Sequence, residues 1–172
     1  AGIMTAGIIS DTLLFKSPTT TSDDIEAVKA LADIAGLNYE EFALSMFEAG
    51  SSLEGKSASE VIFGDFKNFN IENKKIGISQ FLTTNAKEIL NNIEEYISTI
   101  NELAKINEYN VLALFVTDII HEGSYIIYSN NCENIIKDSF NISDIKEGYY
   151  VDAIVSRKKQ IIPNLMEYLE RK

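Results

Sequence analysis

Five consecutive residues, Ser156-Arg157-Lys158-Lys159-Gln160, place three adjacent cations in a chain whose formal net charge is −11. Like charges held side by side repel, so such a cluster belongs either in a solvated turn or opposite an anion. Its flanks favour the second. Tyr149 to Val155 is apolar and rich in strand formers, and Pro163 opens an amphipathic run carrying Leu165, Met166 and Leu169. The cations therefore fall after the carboxyl end of a strand and just before a helix, where α/β sheets bind ligands. A small polyanion is the ligand that suits a local basic cluster in an acidic chain.

Other residues of chemical interest weigh less. Gly50-Ser51-Ser52-Leu53-Glu54-Gly55-Lys56-Ser57 matches the phosphate-loop pattern GxxxxGK[ST]. That loop works only between a buried strand and a long helix, and here a helix precedes it and only a short run follows. It is read as a linker. Asp118 and Glu122 flank His121, the only histidine, but Thr117-Asp118 after a buried strand is more simply a turn, and His121 a loop residue. Cys132 stands near a helix start with no partner histidine in view and is read as unreactive. Asp11 lies at the end of an apolar run, where an aspartate is either a cap or a metal ligand. By charge statistics alone Lys67 is an exposed lysine on an edge strand.

These residues need elements to position them. An apolar content of 45% in 172 residues supports a packed core of one domain, or of one small domain plus part of another. The acidic balance, with an isoelectric point near 4.5, argues against nucleic-acid binding and against adhesion to anionic membranes. No apolar run approaches the roughly 20 residues of a membrane span. A single cysteine excludes an intramolecular disulfide and favours a cytoplasmic setting. The chain starts at Ala1 without a methionine, which reads as a piece of something longer.

In order, Gly2 to Ser10 reads as a buried strand or an apolar helix. A helix capped by Ser22-Asp23-Asp24 runs to Gly36, and a second spans Tyr39 to Ala49. The small, polar stretch Gly50 to Ser59 is the expected linker. Beyond it the pattern turns to mixed α/β. Strands are expected at Asp65–Phe69, Lys75–Thr83, Val111–Asp118, Ser124–Tyr128 and Tyr149–Val155, with one long helix from Ala86 to Lys105 and a short one from Glu133 to Phe140. Val111–Asp118 is the central strand, joined as a hairpin to Ser124–Tyr128. The fold class is α/β of mixed α+β character.

Four blocks then occur in a telling order: Ser10-Asp11-Thr12-Leu13-Leu14-Phe15-Lys16-Ser17-Pro18-Thr19, Asp65-Phe66-Lys67, Val116-Thr117-Asp118-Ile119, and Val155-Ser156-Arg157-Lys158-Lys159-Gln160. Together they resemble the manganese-dependent (family II) inorganic pyrophosphatases of the DHH phosphoesterase superfamily, from Asp11 to the last helix. The resemblance implies that residues 1–55 are the helical tail of a Rossmann-like DHH domain plus linker. Residues 56–172 would be the DHH-associated substrate-binding domain, a mixed sheet flanked by helices. It implies Asp11 as a metal ligand and Lys67, Arg157 and Lys158 as the residues that grip pyrophosphate. Lys159 has no counterpart.

The family's other metal ligands, in HxxPDxD and DHH or DHN stretches, lie upstream and are absent from this chain. Metal binding by this chain alone is therefore doubtful and the isolated chain is expected to be inactive. The parent, with its N-terminal metal-binding domain and manganese, cobalt or magnesium, would hydrolyse pyrophosphate, and a homodimeric parent stays open. Two alternatives remain: an exopolyphosphatase of the same superfamily, and a non-catalytic polyanion-binding module. In hydrolysis, metals lower the pKa of attacking water while cations neutralise the transferred and leaving groups. Arg157 offers a planar fork for two oxygens and Lys158 a mobile point charge.

Overall fold

The computed structural model describes residues 1–143 and 148–171, and the chain divides into two units, Ala1–Ser52 and Leu53–Lys172. The first unit is helical. Of the two readings of Gly2 to Ser10, the helical one holds: α1 spans Gly2–Thr12. Helix α2 (Ser22–Ala35) is capped by Thr21, one residue earlier than the Ser22-Asp23-Asp24 run suggests. The Thr21 side chain accepts the Asp24 N–H while the Asp24 carboxylate accepts the Thr21 N–H, closing a capping box. Gly36, at φ 65°, ends that helix. Asn38 caps α3 (Tyr39–Gly50) by accepting from the amides of Glu40 and Glu41.

The second unit is built on a five-stranded sheet of β1 (Phe66–Ile71), β2 (Lys74–Thr83), β3 (Val111–Asp118), β4 (Gly123–Tyr128) and β5 (Tyr149–Asp152). The strands lie in sequence order; β2 and β3 are parallel and every other pair is antiparallel. Because side chains alternate, each strand serves two faces. On the first face Ile76, Ile78, Val111, Ala113, Phe115, Ile126 and Tyr128 pack with residues of α7 (Glu133–Ser139) and α8 (Ile162–Glu170). On the second, Leu112, Leu114, Val116 and Ile127 pack with α4 (Ala58–Gly64) and α6 (Ile93–Ile106). All eight residues of β3 are buried, as both covered faces require.

Two expected elements differ. The long helix breaks into α5 (Lys87–Leu90) and α6 at Asn91 and Asn92, weak helix formers. The strand expected to reach Val155 stops at Asp152, because Ala153 turns into the left-handed region at φ 58°. The loop with the phosphate-loop spelling is followed only by the seven-residue α4, and its Ser57 is committed to a capping box with Glu60. Among the described residues no helix is long and apolar enough to cross a membrane.

Candidate anion-binding site

The segment after β5 is folded back onto the first face of the sheet by side chains that the hydrophobic pattern does not flag. Gln160 Oε1 accepts from the amides of Val155 and Ser156, both at 3.0 Å, and its Nε2 donates to the carbonyl of Ala153 at 2.5 Å. From the sheet, Gln80 Nε2 donates to Val155 O at 3.0 Å and to Thr117 Oγ1 at 2.9 Å. Ser124 Oγ lies 2.8 Å from Thr117 Oγ1 and donates to Ile154 O at 2.6 Å. Thr117 and Ser124 are fully buried, so these bonds satisfy groups that would otherwise be costly in a core.

Residues Arg157–Ile161 then form one π-helical turn, in which Ile161 N–H donates to Ser156 O, and run straight into α8. Ser156 caps the turn by accepting from Lys159 N. Such wide turns are rare and concentrate at functional positions. Ile161 is buried and anchors the turn, while Lys158 and Lys159 project into solvent.

Arg157 is the member of the cationic trio that points inward. Its side chain is 11% exposed and donates from Nη1 to Asp65 O at 2.7 Å and to Ile78 O at 3.4 Å. From Nη2 it donates to Asp65 Oδ1, also at 2.7 Å. The expectation that three crowded cations await an external anion is corrected in part, because Asp65 already faces Arg157. Lys67 stands on β1 two residues after Asp65, whose carbonyl continues the ladder to Gln80 N–H, so strand alternation puts the Lys67 side chain on the face where the Asp65 carboxylate meets the guanidinium. Phe66 fixes β1 by packing on the other face over Gly77, where a Cβ would come within 2.5 Å of its ring. Lys67, Lys158 and Lys159 are exposed, and their ammonium groups have no polar partner among the described residues.

Asp11 belongs to the first unit. It is exposed in the last turn of α1 and does not cap it; Leu13 does. Beyond it Leu13, Leu14 and Phe15 take φ of 49°, 52° and 69°, three left-handed residues in a row at about 1–2 kcal/mol each. Thr12 Oγ1 accepts from Phe15 N, and Ser17 N–H donates to Thr12 O, which holds the turn. Among the described residues no group of three or more His, Cys, Asp or Glu is placed to hold a metal ion. The described residues thus do not by themselves fit a metal centre.

The remaining candidates behave as turns and core. Asp118 accepts from the amides of Ile120 and His121 and its Oδ2 lies 2.8 Å from His121 Nδ1, closing the β3–β4 hairpin. Cys132 is fully buried, and burial pushes its thiol pKa up. A broad cleft of about 810 Å³ lined by Asn101, Tyr109, Asn110 and Asn131 contains none of Lys67, Arg157 and Lys158. Sequence reasoning missed Asp65, Gln80 and Gln160. The one available signal was Gln80, a polar residue on the strand face that also carries Ile76 and Ile78.

Over all 172 residues the chain is 42% identical to a Clostridium acetobutylicum protein named "Probable manganese-dependent inorganic pyrophosphatase", and spans 56% of its length. It is 38% identical over 169 residues to a cobalt-dependent inorganic pyrophosphatase of Clostridium perfringens, of which it spans 31%. A solved structure from Methanococcus jannaschii, assigned to family II of the inorganic pyrophosphatases, superposes with a TM-score of 0.86 at 35% identity. The match covers 98% of this chain and 55% of that one. The family model described as the DHHA2 domain matches residues 44–168, and the chain belongs to that family.

Proposed function

We propose that this chain is the substrate-gripping part of a metal-dependent inorganic pyrophosphatase that splits pyrophosphate into two phosphates. In this reading residues 1–55 are the end of the metal-binding DHH domain and linker, and residues 56–172 form the domain that closes on the substrate. The observation that carries the reading is the inward-facing Arg157, fixed over the same sheet face that presents Lys67, with Lys158 beside it in sequence and exposed.

The chemistry assigned to these residues is electrostatic. Pyrophosphate concentrates negative oxygens around two phosphorus atoms, and charge builds on the leaving phosphate as the bridge breaks. Arg157 offers directed donors, while Lys67 and Lys158 offer mobile positive charge; preorganised cations stabilise that build-up without reorganising. Manganese or cobalt, when bound in the parent, would supply the activated water. Asp11 would contribute one carboxylate to that centre, and the remaining ligands would come from the N-terminal part of a longer polypeptide. The single, buried Cys132 supports a cytoplasmic setting.

The experiment is phosphate release by the full-length protein with manganese. Lys67→Ala and Lys158→Ala should each lower kcat/KM by about 10²–10³-fold, while Lys56→Ala leaves it unchanged. The 172-residue chain alone should release no phosphate. Robust turnover by that chain, or indifference of the full-length protein to both lysines, overturns the reading.

A further inference from the structure

Asp65 has no place among the candidate substrate contacts, yet it accepts two of the three hydrogen bonds of the Arg157 side chain. Its main-chain carbonyl and its Oδ1 meet the same end of the planar guanidinium: the carbonyl takes Nη1 and the carboxylate takes Nη2. Ile78 O takes Nη1 as well. A guanidinium has five N–H donors in a fixed fork. With the Nη1/Nη2 end occupied, the edge formed by Nε–H and the second Nη2–H is the pair without a partner among the described residues. That edge has the spacing of two oxygens on one phosphoryl group.

The environment sharpens the point. Arg157 is 11% exposed, whereas the Asp65 side chain is 56% exposed, so the carboxylate reaches in from solvent to orient a cation that is almost withdrawn from it. Asp65 is itself rigidly placed. It follows directly on α4, immediately precedes β1, and its carbonyl also accepts the Gln80 N–H at 3.1 Å. Gln80 in turn holds Val155, two residues before Arg157. One short stretch of β2 thus sets both the backbone and the head group of Arg157.

We propose that Asp65 is a positioning residue, clamping one end of the Arg157 guanidinium so that the Nε/Nη2 edge faces the phosphoryl group. Neutralising the Arg157 charge at the same time, it leaves Lys67 and Lys158 to supply the net positive charge and Arg157 to supply direction. This rests on the reading of Arg157 as a substrate contact.

The test uses the full-length protein with manganese and compares Asp65→Ala, Asp65→Asn, Arg157→Ala and the Asp65→Ala/Arg157→Ala double variant. A guanidinium released from its clamp is displaced by an ångström or so, so Asp65→Ala should raise KM for pyrophosphate and lower kcat/KM by about 10–100-fold. Asp65→Asn keeps an acceptor oxygen and should recover most of that loss. The double variant should be no slower than Arg157→Ala alone, because the clamp acts only through the arginine. Asp65→Ala within about twofold of wild type, or losses that multiply in the double variant, overturns the proposal, as an independent structural role would behave that way. A wild type that hydrolyses no pyrophosphate, or an Arg157→Ala protein that hydrolyses it normally, overturns the reading of the site and the clamp with it. Sensitivity to Arg157→Ala with indifference to Asp65→Ala overturns the clamp alone.

Discussion

Gln160 closes the loop that carries the cations, and its removal has a calculable effect. Its side chain satisfies the carbonyl of Ala153 and the amides of Val155 and Ser156. Each such bond is worth about 0.5–1.5 kcal/mol net, so Gln160→Ala should destabilise the loop by about 2–4 kcal/mol. Val155 is buried, which keeps water from replacing the lost acceptor easily. If its amide exchanges by local opening, that loss corresponds to about 30- to 1,000-fold faster hydrogen exchange at Val155 and Ser156. Amides of β3, which belong to the core, should change far less. Pyrophosphate affinity should fall with Gln160→Ala as well, since Arg157 and Lys158 ride on this segment. Exchange at Val155 and Ser156 that stays within about threefold of wild type in Gln160→Ala would refute the argument, because three simultaneous bonds cannot vanish without cost.

Two further outcomes follow from the backbone and the core. Ala153 sits at φ 58° on the surface, so Ala153→Gly should relieve strain and stabilise the second unit by about 0.5–1 kcal/mol, read as a higher urea midpoint with an unchanged slope; a lower midpoint contradicts this. Cys132 should not react with a thiol reagent until the protein unfolds, since burial holds the thiol neutral and shielded. As pH rises through the ordinary thiol range, the unfolded chain releases a proton that the folded chain keeps, so stability falls with pH there. Cys132→Ala should flatten that fall relative to wild type in urea titrations across alkaline pH, and identical slopes would contradict the assignment.

The elements of the second unit were readable because burial imposes period. Val111–Asp118 is apolar throughout since both of its faces are covered, and the 3.6-residue spacing of Tyr96, Ile100 and Ala104 marks a helix facing one side of the sheet. The cluster of Arg157 and Lys158 was visible as a charge anomaly, and its position between a strand and a helix followed from Pro163 and the apolar runs on either side. The left-handed turn at Leu13, Leu14 and Phe15 was not readable, because leucine and phenylalanine disfavour that conformation and only surrounding bonds impose it. Nor was the break at Asn91 and Asn92, where the apolar period runs on and only the backbone departs from it.

What tertiary structure alone decided is which cation turns inward. Arg157, Lys158 and Lys159 are equivalent as neighbours in sequence, and nothing local distinguishes them. The choice is made by an aspartate 92 residues away and by a carbonyl of β2, brought to Arg157 when the segment after β5 folds onto the sheet. Charge and hydrophobic period are properties of a stretch of chain and can be read from it. A guanidinium's orientation is a property of groups that meet only once strands β1 and β2 have paired, and so it belongs to the fold.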